Sequence, residues 1–561
     1  MRTGATRPDV PADQDDGIPP PSTGSDARTP GSPRAAGPRR AIVDLGSNTF
    51  RLVVFAVDPQ ARRVPGGAWR QTAELYEPVR IGADLGPDGA LQPGPLRRAL
   101  VAVQLFDHFC RAHDLPSERI DAVATSAIRE APNRDWILDR TRADTRLRPR
   151  VLDHEQEARY GYLAAVNSTT LRDGGVLDIG GGSMQLVRTR DRLADAHGSW
   201  QLGAVRTTER FLGGPADAPT NMDAVRALRR HVRDTLGGQP WTGDLGDRLV
   251  GVGGAVRNIA AAIQHRDGST DLGVQGMRVC VDALGELVDE LAAMPVRERS
   301  RMAGIKPSRG DVILGAATTI ETVLRTAGID AIEVTEFGLR EGVFLDRHLA
   351  GYEDAAGAPL YPDVQDAAIA NLQARYDEDP PHSDHVRRLA LGMYDDLAAL
   401  GVHAGDPTER RLLAAAASLH DIGMTVGYDD HHKHGRYLVV TNGLPGFSPA
   451  DTAVIGQAIR YHRKGGPTLK PFRPIVDAGD EARLLRIAAL LRLAEGMERG
   501  HDQAVVKVDT ERDGDLVSLT LRSGADGAPV ARWAAEGQAD LVRRAFGVDL
   551  AVTERSTVPA R

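Results

Sequence analysis

Val43-Asp44-Leu45-Gly46-Ser47-Asn48-Thr49-Phe50-Arg51-Leu52-Val53 lies without a gap over Leu177-Asp178-Ile179-Gly180-Gly181-Gly182-Ser183-Met184-Gln185-Leu186-Val187. The apolar positions, the Asp, the Gly and the closing apolar pair coincide. Each copy reads as a buried strand, a glycine turn and a second strand, which predicts a hairpin opening an α/β unit. A repeat of this kind points to duplicated half-domains. A third strand, Gly loop and helix follow at Leu249-Val250-Gly251-Val252-Gly253-Gly254 and the residues to Asn258. Residues 96–114 have helical spacing, and residues 120–124 read as another buried strand closed by Thr125-Ser126.

Outward from the repeats the character of the chain changes twice. Residues 1–38 are rich in Pro, Gly, Arg, Asp and Ser, too poor in apolar side chains to offset their ordering entropy, and are expected to be a disordered tail. Residues 362–500 are rich in Ala and Leu at helical spacing, interrupted by histidine clusters. The last stretch returns to strands at 504–508 and 516–521 around an Asp513-Gly514 turn, with a helix near 539–545. The expected architecture is α/β half-domains at 39–165 and 166–355, a helical domain at 360–500 and a small α+β domain at 503–561. A length of 561 residues has room for this.

Composition narrows the function classes. The chain is 41% hydrophobic and 26% charged, with a net charge of −8. No sustained basic face offers the counterion release that nucleic acid or a membrane surface rewards. No apolar run reaches the length of a membrane span, and no apolar core of a secretory signal follows Met1. Cys110 and Cys280, the two cysteines, make neither a disulfide framework nor a zinc set. A reducing cytoplasm is the expected compartment.

Glycine turns let backbone N–H groups converge on an anion. Three such turns, Gly46–Asn48, Gly180–Ser183 and the one carrying Gly253 and Gly254, would together supply a phosphate site, and the last opens a helix whose N-terminus favours anions. Taken singly, each reads equally well as a tight turn. Asp44 and Asp178 end equivalent strands, where carboxylates suit Mg²⁺ or Mn²⁺; capping of the turn's own amides is their other use.

At these residues the sequence resembles the exopolyphosphatase and guanosine pentaphosphate phosphatase family, within the actin-like, sugar-kinase fold superfamily. The blocks at Asp44–Leu52, Ala124–Asn133, His154–Tyr160, Asp178–Ser183, Gly251–Gly254, Ser308–Ala316 and Glu336–Gly342 fall in family order. The resemblance implies two ribonuclease-H-like half-domains and hydrolysis of the terminal phosphate of inorganic polyphosphate, with guanosine pentaphosphate the alternative substrate. It implies Glu157 as the catalytic base. It also implies Gly46, Ser47, Asn48, Arg51, Ser126, Arg129, Gly180, Gly181, Gly182, Ser183, Gly253 and Gly254 as phosphate contacts, with Arg206, Arg309 and Arg340 available to the rest of the chain.

The family's second loop closes with a glutamate; here Gln185 stands there. A glutamine can orient water but cannot accept a proton. A non-catalytic binder of polyphosphate or an alarmone is therefore a further expectation to test. Farther on, His385, His420-Asp421, the His431, His432 and His434 group, His462 and Glu495 resemble the helical HD-type domain of long family members. That likeness implies a homodimer and a second metal site made of His385, His420, Asp421 and Glu495. A scaffold in which these polar residues only hydrogen-bond at an interface is its alternative.

Overall fold

The structure, a computed structural model, describes residues 37–83, 85–268, 272–352 and 357–556. The expected tail therefore lies outside the described residues, apart from its last two positions. Strands β1 (Arg39–Leu45), β2 (Phe50–Asp58), β3 (Ala68–Glu77), β4 (Ile120–Ala124) and β5 (Arg150–Val151) form one sheet in the order β3-β2-β1-β4-β5. The first two pairings are antiparallel and the last two parallel.

The second sheet contains β6 (Gly174–Ile179), β7 (Met184–Arg190), β8 (Leu193–Trp200), β9 (Leu249–Val252), β10 (Arg278–Cys280) and β11 (Ala331–Val334). Its run β8-β7-β6-β9-β11 has the same order and the same strand senses as the first sheet, with β10 added at the edge. Register makes the sequence repeat physical. Asp44 pairs with Arg51 across the first hairpin, and Asp178 pairs with Gln185 across the second. Directly opposed residues share a sheet face, so each hairpin sets an Asp beside one further polar side chain.

Helices His154–Val166 and Leu339–His348 join a core to which both sheets contribute, including Ile42, Val53, Leu163, Val176, Val187 and Phe344. Their backbones touch: a Cβ on Gly342 would lie 1.9 Å from the Tyr160 carbonyl oxygen, so only glycine fits that crossing. Helix Pro93–Ala112 packs into the core on the first sheet's other face, and Gly254–Arg266 and Ile313–Ala327 into that of the second.

Helices Val364–Tyr376, Pro380–Ala399, Pro407–Leu419, His431–Asn442, Pro449–Arg460 and Ala478–Met497 follow. The chain ends in a small sheet of β12 (Val505–Asp513), β13 (Leu516–Ser523) and β14 (Asp549–Ser556), in that order. This sheet and the helices share one apolar core, in which Leu493 and Met497 join Val505, Val517 and Val552. Among the described residues no helix is long and apolar enough to cross a membrane.

Candidate active site

The matching hairpins deliver Asp44 and Asp178 to one cleft of about 120 Å³, which Glu157 and Gln185 also line. Of the expected phosphate contacts, Gly46, Ser47, Asn48, Arg51, Ser126, Gly180, Gly181, Gly253 and Gly254 line the same cleft. Gly253 has φ +98°, a conformation open to glycine, and it turns β9 directly into helix Gly254–Arg266. That puts the helix N-terminus, with its unpaired amides and partial positive charge, at the cleft wall.

Gly182, Ser183 and Arg129 do not line the cleft. Gly182 packs on Ser126 and Ser47, whose hydroxyls are 2.9 Å apart. Ser183 and Arg129 engage Glu157. Arg129 Nη1 donates to Glu157 Oε2 at 2.6 Å and to the Leu152 carbonyl at 2.9 Å, a buried ion pair. Ser183 Oγ donates to Glu157 Oε1 at 3.4 Å and accepts from Gln185 Nε2 at 2.9 Å. Gln185 Nε2 also reaches Ser199 Oγ at 3.3 Å. Gln185 is thus wired to Glu157 through a serine, using donor groups that a carboxylate does not have.

Helix start explains why Glu157 faces inward. Asp153 caps helix His154–Val166 in a capping box with Gln156. This fixes the phase of the first turn and leaves Glu157 buried while Glu155 is exposed.

Charge in the cleft is strongly perturbed. Burial raises Asp178 to about 7, helped by the neighbouring Glu157 and Asp44 carboxylates. Burial likewise raises Asp44 to about 6, against the pull of Arg340 and Arg51. Among the described residues neither aspartate accepts a hydrogen bond; the nearest cation is Arg340, 3.9 Å from Asp44. Two enclosed carboxylates without donors match a divalent cation. Glu157 is also raised by burial, with Arg129 opposing, which moves a carboxylate toward the range useful for a base.

A second basin of about 420 Å³ adjoins the cleft and shares Arg51, Arg257, Arg309 and Arg340 with it, adding Lys306. Burial and mutual repulsion depress Arg257, Arg309 and Lys306, and bring Arg51 to about 10. Arg340 Nε is buried without a hydrogen-bond partner. Lys306 is a residue that sequence reasoning missed; it lies in no Gly turn, and only its place beside the Ser308–Ala316 block hinted at it. Arg206, by contrast, is held by Glu130 at 2.9 Å.

In the helical part, His420, Asp421 and Glu495 come together, but His385 does not join them. Its Nε2–H donates to the Val505 carbonyl at 2.9 Å and its Nδ1 accepts from Arg388 at 2.6 Å, so no lone pair is left for a metal. His382, one turn earlier, takes the place, with Nε2 3.2 Å from Glu495. Groups able to hold a metal ion are His382, His420 and Asp421, and Asp421, His431 and His462.

Known proteins share this organisation. The Ppx/GppA phosphatase family matches residues 62–350, and Ppx/GppA phosphatase domain III matches residues 364–526. The chain is 26% identical over 497 residues to a guanosine-5'-triphosphate,3'-diphosphate pyrophosphatase of Aeromonas hydrophila, covering 87% of this chain and 93% of that protein. A protein of the same name from Vibrio vulnificus is 26% identical over 491 residues, 86% and 92% of the two chains. An exopolyphosphatase structure from Cytophaga hutchinsonii superposes with a TM-score of 0.50 at 21% identity, over 55% of this chain and 98% of that one, a likeness of fold. With both family matches lying over the cleft-bearing sheets and the helical part, the chain belongs to the Ppx/GppA phosphatase family and is a phosphoanhydride hydrolase.

Proposed function

We propose that the protein is an exopolyphosphatase, releasing the terminal phosphate of inorganic polyphosphate by attack of water. The observation that carries this choice of substrate is the basin of Arg51, Arg257, Arg309, Arg340 and Lys306 running on from the cleft. It offers donors and positive charge over a length of chain. Its aromatic wall offers no stacking platform for a base: Trp69 packs on Phe55, Phe337 and Phe344 and donates its indole N–H to Tyr361.

In this reading the glycine turns and Arg51 hold the terminal phosphoryl group, and the basin holds the remaining chain. Glu157 takes the proton of the attacking water as the phosphoanhydride bond breaks, and the shortened chain leaves with its new terminal oxygen. Arg129 and Ser183 fix the carboxylate of Glu157; Gln185 fixes Ser183. Asp44 and Asp178 would hold Mg²⁺, or Mn²⁺ in its place, which neutralises phosphate oxygens when bound. The same reading makes the protein a cytoplasmic homodimer, in keeping with its unpaired cysteines and with long family members.

Guanosine pentaphosphate is the second substrate to weigh, favoured by the names of the two relatives. The test is phosphate release with Mg²⁺ from long-chain polyphosphate and from guanosine pentaphosphate, read as kcat/KM. A clear preference for polyphosphate is expected. Preference for guanosine pentaphosphate would reverse the choice, and binding of both without release would leave a sensor.

A further inference from the structure

The glycine-lined cleft makes no use of the imidazoles and carboxylates gathered among the helices. Three of these rings are anchored identically. His420, His431 and His462 each direct Nδ1 at the backbone carbonyl three residues earlier, Ala417, Tyr428 and Ile459, at 2.8 Å. A carbonyl only accepts, so Nδ1 carries the proton and Nε2 of each neutral ring presents a lone pair.

Those Nε2 atoms face Asp421 Oδ1 at 3.7, 3.3 and 3.6 Å respectively. Asp421 Oδ1 is itself buried without a hydrogen-bond partner. On the other side, His382 and His420 both set Nε2 3.2 Å from Glu495 Oε2 and 3.3 Å from each other, and His382 Nε2 lies 3.7 Å from Asp421 Oδ2. His431 and His462 likewise approach Nε2 to Nε2 at 3.2 Å. Converging lone pairs and carboxylate oxygens repel in a buried site unless positive charge sits among them. A proton bridges two atoms, whereas Asp421 Oδ1 faces three nitrogens at once.

The spacing matches ligands around ions. Metal bonds of about 2.0–2.2 Å place neighbouring ligand atoms about 3–3.5 Å apart. The Nδ1-to-carbonyl anchors are the outer contacts that orient metal-bound histidines. Access comes from the carboxylates, since Asp421 and Glu495 are 15% and 20% exposed while the imidazoles that face them are at most 5% exposed.

We propose that this cluster binds a pair of divalent transition-metal ions bridged by Asp421, one held by His382, His420 and Glu495 and the other by His431 and His462. Imidazole donors select ions such as Mn²⁺, Fe²⁺ or Zn²⁺ over Mg²⁺ and Ca²⁺. The centre is separate from the aspartate pair of the glycine cleft and does not rest on the choice of substrate there.

The probe is Mn²⁺ alone, added to the full chain after chelator stripping. In a chain carrying Asp44→Asn and Asp178→Asn, equilibrium dialysis is expected to retain two ions, with the exchange-coupled electron paramagnetic resonance spectrum of paired Mn²⁺. Adding His431→Gln and His462→Gln is expected to halve retention and leave the six-line spectrum of an isolated ion. Fewer than two ions retained before the histidines are changed overturns the proposal. So does the absence of a coupled spectrum from the fully loaded wild-type chain, a measurement that depends on no variant folding. Loss of polyphosphate hydrolysis would bear on the glycine cleft and leave these outcomes unaffected.

Discussion

The two hairpins that build the cleft are copies in topology and register, yet they present different side chains at matching positions. Arg51 faces Asp44 in the first, and Gln185 faces Asp178 in the second. Arg51 reaches into the basic basin, paired with Glu74 at 3.3 Å and lying over the Tyr76 ring. Gln185 turns to Ser183 and Ser199 and, through Ser183, to Glu157. Duplication therefore supplied one geometry, and substitution divided the labour: one half grips the anion, while the other holds the base. Such a division explains how a neutral glutamine can occupy a position where the family resemblance leads one to expect a glutamate.

Four substitutions would break or sharpen that contrast. Glu157→Gln is expected to lower kcat by about 10²–10⁴-fold, the usual worth of a positioned base. Phosphate release within tenfold of wild type would remove Glu157 from that role. Arg129→Met should come next, because it strips the cation from a buried pair; loss of one partner costs about 3–5 kcal/mol of stability, measurable by denaturant unfolding. Its catalytic signature is directional. Arg129 holds the Glu157 carboxyl down against burial, so its removal raises that group further. The base acts deprotonated, and the acid limb of the pH–rate profile must therefore move to higher pH. A limb that stays put would mean that another group sets it.

Arg51→Gln should mainly weaken substrate binding, raising KM by about 10- to 100-fold for loss of a charged contact to phosphate. An effect confined to kcat would place Arg51 with the water and not with the chain. Gln185→Glu is expected to have the smallest effect, a few-fold fall, since it removes the N–H donors to Ser183 and Ser199 and sets a second carboxylate near Glu157. A large gain in rate would instead show that the cleft wants a second acid, and that the hairpins are less specialised than their contacts suggest.

Much of this was legible beforehand because it is local. The Asp, Gly and flanking apolar residues of each repeat specify strand, turn and strand within eleven positions, and the aligned copies already set Gln185 against Arg51. Strand β3 left no comparable trace, for Ala68–Glu77 carries exposed Arg70, Gln71 and Glu74 on a sheet edge and lacks a buried apolar run. Glu157 was singled out by family likeness alone; its burial, and the opposite fate of Glu155, follow from the phase that the Asp153 cap imposes on the helix.

The histidines show the limit most clearly. His382 and His385 lie on one helix, three positions apart, which is about 60° in direction and about 4.5 Å in height. Sequence order could not choose between them; packing against Ala478–Met497 and β12 turned His385 to Val505 and His382 to Glu495. The amino-acid sequence by itself determined the duplicated hairpins, their glycine turns and the carboxylates at the strand ends, because backbone hydrogen bonding and apolar alternation act over a few residues. Tertiary structure alone decided that Arg257, Lys306, Arg309 and Arg340 converge on one basin, that Arg129 serves Glu157, and which imidazoles meet at Asp421. Those outcomes depend on contacts between segments tens to hundreds of residues apart, where a small rotation of one helix changes which side chain arrives.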